Sequence, residues 1–346
     1  KVKDTYQTFL DLCSHEYFHT WNVKRIKPAE FLPYDTQNES YTELLWAFEG
    51  ITSYYDNLAL AQTQCIDKEE YLTRLAKTLT SVRRSKGRLI QTVTDSSFDA
   101  WTKFYKQDEN APNAVVSYYT KGAEIALCLD LLIREKTDWN KSLKDIMRRL
   151  WAEYGKVQKG VENDTIQSIV LEETPETSHD DIKEFFETAL YSTNPLPTER
   201  LLSHLGLCLA YLPRSDRNDR GGFKASLPQH KHLADLGLEY KSKATGVLVK
   251  SVYADSPAGK AGISAGDHLI AMDGLRINAS TFDREIKQVP VGESITVVGF
   301  RRDELMTFRV ALEAAECDTA YITYADDFDK HQSNFEHWLN IKDSGQ

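Results

Sequence analysis

The period of the residue pattern changes near Leu205, and that change commits the chain to two structural regimes joined in series. Upstream, apolar residues recur at helical spacing. Phe9, Leu10, Leu12, Cys13 and Phe18 fall on a predicted helix over 5–19, and further helices are expected at 41–61, from Asp67 onward, and at 119–135, 140–154, 180–190 and 197–205. Asp67 can cap its helix, with Glu69 and Glu70 close to the positive end of the dipole. Prolines punctuate 27–34, which reads as an extended loop. Downstream, 213–222 is charged and contains glycine, and beyond it short β-branched runs at 246–252, 268–272, 293–300 and 307–312 alternate with glycine turns. The expected fold class is therefore α+β and multidomain: a mostly α-helical unit over 1–205, a linker over 206–230, a small β-rich unit over 231–315, and a polar tail over 316–346 with one short helix near 335–339.

A length of 346 residues agrees with two units at roughly 150 residues each. Apolar residues make up 41% and charged residues 27%, a globular composition, and no apolar run reaches the roughly 18 residues of a membrane-spanning helix. With 42 basic against 52 acidic residues the net charge is −10, which repels phosphate backbones, so no nucleic-acid partner is expected. The five cysteines are odd in number, widely spaced and free of any C-x-x-C pair, and read as reduced, mostly buried thiols. From these thiols a cytoplasmic location is inferred. The chain opens on Lys1 with no leader pattern and reads as a piece of something longer. Its oligomeric state is not legible.

The sharpest local feature is His15-Glu16-Tyr17-Phe18-His19, an H-E-x-x-H on a predicted helix. Four residues advance a helix by about 400°, so both imidazoles project from one face within reach of a single ion. Glu16 follows His15 by about 100°, where a carboxylate can hold a water as general base without itself binding the metal. Catalytic zinc usually takes three protein ligands. The metzincin continuation fails, because Asn22 and Arg25 stand where a glycine and a third histidine would be. Glu39, Glu43 and Glu49 are the remaining candidates. Glu49 is the choice, since a carboxylate inside Leu44-Leu45-Trp46-Ala47-Phe48-Glu49-Gly50 is expensive to bury without a partner. Glu39 and Glu43 read as solvated charges near a helix start. Asp56 reads equally as an orienting acceptor for a ligand histidine or as an exposed helix carboxylate. Lys24 and Arg25 read as a solvated pair or internal salt bridge, with a substrate-carboxylate contact as the alternative.

The run from His15 through Pro28, the Phe31-Leu32-Pro33-Tyr34-Asp35 segment and the Leu44 to Tyr55 helix together resemble the M61 family of metallopeptidases, the glycyl aminopeptidase group. The resemblance implies a gluzincin core, with Zn²⁺ as cofactor and His15, His19 and Glu49 as its ligands. It also implies a tyrosine from a Tyr-x-Lys-Gly motif as donor to the oxyanion. Tyr119-Thr120-Lys121-Gly122 matches that motif, with Tyr118 as the one-residue alternative, and Lys121 and Gly122 read as structural. Family members usually begin with an upstream β-rich domain, whereas about a dozen residues precede His15 here. In the related M1 enzymes that domain grips the substrate's free amine, so exopeptidase specificity is where this sequence departs from the family.

Leu236-Gly237-Leu238, Asp255-Ser256-Pro257-Ala258, Ala261-Gly262-Ile263, Gly266-Asp267 and Asp273-Gly274, in this order, are similar to a PDZ domain of the bacterial protease type. The likeness implies capture of peptide C-termini by strand addition, with Leu236, Gly237 and Leu238 as the carboxylate loop. The expected function is a zinc-dependent aminopeptidase acting on peptides with N-terminal Gly or Ala, in which Glu16 is the base and Tyr119 steadies the oxyanion. The alternative is a PDZ-mediated peptide-binding scaffold with an inactive or incomplete peptidase half.

Overall fold

The computed structural model describes residues 3–229 and 233–341. The helical unit is built around α1 (Lys3–Phe18), α2 (Leu45–Phe48), α3 (Gly50–Gln62), α4 (Lys68–Arg84), α5 (Val93–Phe98), α6 (Ala111–Ala114) and α7 (Thr120–Lys136). It is completed by α8 (Leu143–Leu150), α9 (Thr165–Glu173), α10 (His179–Tyr191) and α11 (Thr198–Ser203). The centre of this unit is α7, buried without interruption from Gly122 to Arg134, as a helix apolar on nearly every face must be. Its buried charges are all partnered: Asp130 accepts from Arg134 (3.1 Å), from the Tyr54 hydroxyl (2.8 Å) and from the Leu143 amide (2.8 Å). Asp67 caps α4 as expected, accepting from the Glu70 amide at 2.8 Å while Glu70 returns a bond to the Asp67 amide.

The single helix expected over 41–61 is shorter and broken. Thr42 accepts from the Leu44 amide through its hydroxyl, which holds the chain in a turn, so α2 starts only at Leu45. At Glu49 the backbone tilts to φ −102°, ψ −42° before α3 resumes. The tilt separates Glu49 from the regular ladder next to a close contact between two helices. A Cβ on Gly50 would lie 2.4 Å from the Gly122 Cα, and one on Gly122 would lie 2.6 Å from the Trp46 carbonyl. Only two glycines let the starts of α3 and α7 meet, and this sets Glu49 and Tyr119 beside one another.

The stretch 206–230 is more than a connection. It contributes β3 (Leu207–Leu212) and β4 (Gly222–Phe223). The β-rich unit follows, with β5 (Ala234–Asp235), β6 (Leu238–Ser242), β7 (Val247–Val252), α12 (Pro257–Lys260), β8 (His268–Met272), β9 (Leu275–Arg276), α13 (Phe282–Gln288), β10 (Ser294–Arg301), β11 (Glu304–Ala311) and β12 (Glu313–Ala314). Its main sheet runs β11-β10-β8-β7-β6, so β6 is an edge with β7 as its one sheet neighbour, and its core of Leu236, Val247, Leu269, Phe282 and Val297 is separate from that of the helical unit.

The polar tail is corrected by the structure. The short helix expected near 335–339 is the end of a longer one, α14 (Phe328–Leu339), and it is preceded by a strand that was not expected, β13 (Thr319–Tyr324). β13 is the centre of a β3-β13-β4 sheet packed on α4, and Phe335, Trp338 and Leu339 join the helical core. The strand is buried on both faces and so shows no alternation, and its short apolar run is masked by Asp326, Asp327 and Asp329. The thiols are corrected too: Cys128 is buried, whereas Cys13, Cys65, Cys208 and Cys317 are exposed, and none is in a disulfide.

Candidate active site

Three side chains from two helices converge. His15 lies in the last turn of α1, and His19 follows one turn later, its amide still bonded to the His15 carbonyl at 3.1 Å. The two Nε2 atoms are 3.1 Å apart, and Glu49 Oε2 lies 3.3 Å from His15 Nε2 and 3.2 Å from His19 Nε2. These contacts are within ion-pair reach, yet Glu49 Oε2 is buried without an aligned hydrogen bond.

The protons on the two rings are placed by what stands behind them. His15 Nδ1 faces Asp56 Oδ2 at 3.1 Å, and His19 Nδ1 faces the Asn22 carbonyl at 2.9 Å. Both partners are acceptors, so each Nδ1 carries hydrogen and each Nε2 turns a lone pair inward. Two lone pairs and a carboxylate oxygen facing one another are mutually repulsive until a cation, either a proton or a metal ion, lies between them. Tetrahedral coordination at about 2.0–2.1 Å puts donor atoms about 3.3 Å apart, which fits the separations found. Two nitrogens and one oxygen are also a common donor set for a catalytic zinc. Among the described residues, this trio is the cluster of histidine and carboxylate groups close enough to hold a metal, with donors within 4.8 Å of one another.

Electrostatics agree. Burial alone would depress His15, but its bonds to Asp56 and Glu49 outweigh burial and push it up to about 10. His19 is raised in the same way, by Glu49 and the Asn22 carbonyl against burial. Burial would raise Glu49, and the two histidines hold it below its ordinary value. The site attracts positive charge.

Asp56 is 5% exposed and bonded to His15, so it orients the His15 ring and is not a surface carboxylate. Behind it lies Asp11, which burial and the neighbouring Asp56 charge push up to about 7, with Arg74 at 3.9 Å. Asn22 is a positioning residue the sequence did not announce. Its carbonyl holds His19 while its side-chain amide donates to the Ala47 and Phe48 carbonyls and to Thr52, which ties the end of α1 to the segment carrying Glu49.

Tyr119 stacks near His15, with ring centroids 6.3 Å apart, and its hydroxyl meets that of Tyr105 at 3.2 Å. Burial, Tyr105 and the Glu49 charge all raise Tyr119, so its proton stays available for donation. Tyr118 is wholly buried with an unpartnered hydroxyl. Tyr105, exposed and absent from any local motif, is a second residue missed in the sequence. Lys121 pairs with Glu124 at 2.9 Å. Glu16 is exposed, one residue beyond His15. Glu39 is exposed and Glu43 accepts from Asn163, both away from the trio. Arg25 donates to the Thr20 carbonyl at 2.5 Å, closing its own helix end.

In the β-rich unit, Gly237 adopts φ +67°, and a Cβ there would meet Ser256 at 2.4 Å. Leu236 and Leu238 are buried on either side, and the carbonyls of Leu236 and Gly237 accept from Ala258 and Tyr253.

A helical body carrying this trio is followed by a β module built on a six-stranded sheet. Residues 8–125 match the M61 glycyl aminopeptidase family, and residues 234–312 match the PDZ domain. The chain thus carries a region similar to the M61 glycyl aminopeptidases, followed by a C-terminal PDZ domain. A solved structure of an aminopeptidase N family protein from Idiomarina loihiensis is similar at 40% identity with a TM-score of 0.88, covering 98% of this chain and 56% of that one. Two serine proteases of Bacillus subtilis (strain 168), Do-like HtrA and Do-like HtrB, are 31% identical over 96 residues and 32% identical over 90 residues. These stretches are 27% and 25% of this chain. The chain thus spans about half the length of the Idiomarina protein and about a fifth of each curated relative, 21% and 20%.

Proposed function

We propose that this chain is the catalytic and PDZ portion of a zinc-dependent aminopeptidase, with N-terminal Gly or Ala as its preferred residues. The observation that carries the reading is the convergence of His15 Nε2, His19 Nε2 and Glu49 Oε2 at 3.1–3.3 Å, with Glu49 Oε2 buried and without an aligned hydrogen bond. Zinc held by these residues supplies Lewis acidity and a water of lowered pKa. Asp56 and the Asn22 carbonyl keep the two imidazoles in the tautomer that binds. Glu16, solvent-facing beside His15, takes the proton of the attacking water and returns it to the leaving amine. Tyr119 donates its hydroxyl to the developing oxyanion, with Tyr105 holding that hydroxyl in place. A preference for Gly or Ala rests on family likeness alone. Peptide capture at Leu236, Gly237 and Leu238 is part of the same proposal, as is a reducing compartment for five thiols outside any disulfide.

The test is metal analysis with an anomalous map, together with hydrolysis of glycine and alanine anilides by the wild type and Glu16→Gln. The expected result is one zinc per chain in both proteins and a 10²- to 10⁴-fold loss of kcat in the variant. Zinc without turnover in the wild type would favour the scaffold reading, in which peptide binding at the PDZ domain is the whole function. No bound metal would refute both the site and the reaction.

A further inference from the structure

A PDZ domain takes a peptide along an open sheet edge beside a helix. Here that edge is β6 and that helix is α13, and the groove between them is lined by Leu238, Tyr240, Phe282 and Ile286. The groove is already in use. The segment just after β3 crosses it and is held from both walls. Arg217 donates to the Tyr240 carbonyl of β6 at 2.9 Å, and its guanidinium lies 4.3 Å from the centre of the Tyr240 ring. Arg214 bridges Glu239 (2.8 Å) and Asp235 (3.2 Å). From the helix side, Lys287 donates to the Ser215 carbonyl at 2.5 Å.

The far end of the segment is anchored in the peptidase unit. Asp219 accepts from the Ser215 amide (2.9 Å), the Ser215 hydroxyl (2.8 Å), the Gly221 amide (2.9 Å) and the Tyr321 hydroxyl of β13 (2.6 Å). A tethered segment competes at an effective concentration on the order of millimolar, which a weakly binding peptide in solution does not match. Arg214 also shows what chemistry the groove accepts, because it supplies the positive charge that Asp235 and Glu239 need.

We propose that residues 214–219 plug the PDZ groove, so that a peptide adding to β6 must displace Arg217 from the Tyr240 carbonyl and bring a basic side chain to replace Arg214. This rests on the reading of the module as a peptide binder. The groove then acts as a gated site selective for basic peptides, and its gate is fastened to the peptidase core through Tyr321.

The test is fluorescence anisotropy on the whole chain with the labelled hexapeptide Gly-Arg-Ile-Ala-Leu-Val, free at its carboxylate, and its twin with Glu for Arg. The double variant R214A/R217A is expected to bind the arginine probe about tenfold or more tighter than the wild type, and tighter than the glutamate probe. Lys287→Ala releases only the Ser215 carbonyl, guards against a folding failure of the double variant, and is expected to tighten binding by about threefold. Equal, measurable affinity in the wild type and both variants would overturn the plug while leaving the peptide-binding reading intact. Binding by none of the three proteins would overturn both.

Discussion

The two functional regions of this molecule treat polar groups in opposite ways. At the trio, His15, His19 and Glu49 turn their donor atoms on one another, and a shared cation, a proton or a metal ion, is what balances them. At the PDZ groove, Asp235, Glu239 and the Tyr240 carbonyl are satisfied by two arginines of the chain itself. An unsatisfied cluster is poised to recruit a ligand, because binding removes a repulsion already present. A self-satisfied groove has to lose contacts before it gains any. The contrast predicts that the peptidase site responds steeply to loss of single side chains, whereas the groove responds to loss of its own plug with a gain.

The largest effect should come from removing the carboxylate. Glu49→Ala removes the carboxylate that faces both Nε2 atoms, and zinc content after dialysis against a mild chelator should fall to background with activity lost. Glu43→Ala, which gives up one bond to Asn163, should keep its metal. Equal retention in the two variants would erase the contrast, since the trio would then not be where the metal is held. Next comes Tyr119→Phe, expected to lower kcat by 10²- to 10³-fold with zinc and KM nearly unchanged. Tyr118→Phe should leave kcat within a few fold, because that side chain is wholly buried and makes no aligned hydrogen bond.

How far these regions were legible in the sequence follows the same division. His15, Glu16 and His19 are visible because helical geometry turns a local spacing into a shared face. Glu49 is visible because a carboxylate among Trp46, Ala47 and Phe48 needs an explanation. Tyr119 came from family likeness, and what the structure adds is its stacking on His15 and its bond to Tyr105. Asn22 and Tyr105 were illegible because their partners are brought near by folding and not by spacing. Asn22 bonds residues 25, 26 and 30 positions away. Arg214 and Arg217 read as linker charge, which is what they are until α13 and β6 come beside them. The helical and β regimes were plain from periodicity, yet β13 was not, since burial on both faces removes the alternation that marks a strand.

A smaller effect tests the support behind the trio. Asp56→Asn keeps the shape but weakens the acceptor behind His15 Nδ1 and frees the ring to adopt the other tautomer. Metal affinity, measured by competition with a chromogenic chelator, should fall by about 10- to 100-fold while the fold persists. A change below twofold would mean that His15 is oriented by packing alone, and the site would then resemble the groove in being held together by its own contacts.

The smallest effect concerns the anchor of the plug. Burial would raise the Asp219 carboxyl, but the Tyr321 hydroxyl and the Ser215 and Gly221 amides hold it below the ordinary aspartate value of 3.8. A carboxylate lowered in the folded state contributes stability that is present in full above its unfolded pKa and is lost as pH falls through the folded one. The contribution should therefore be flat from neutral pH down to about 5 and vanish below 3.8. Asp219→Asn should show a lower Tm than the wild type at pH 7, by a few degrees at most because the group is partly exposed to solvent, and the two proteins should converge as the wild-type carboxyl protonates. Curves that stay parallel to the lowest pH would mean that the charge of Asp219 does not hold the segment, leaving Arg214, Arg217 and Lys287 to keep the groove closed by themselves.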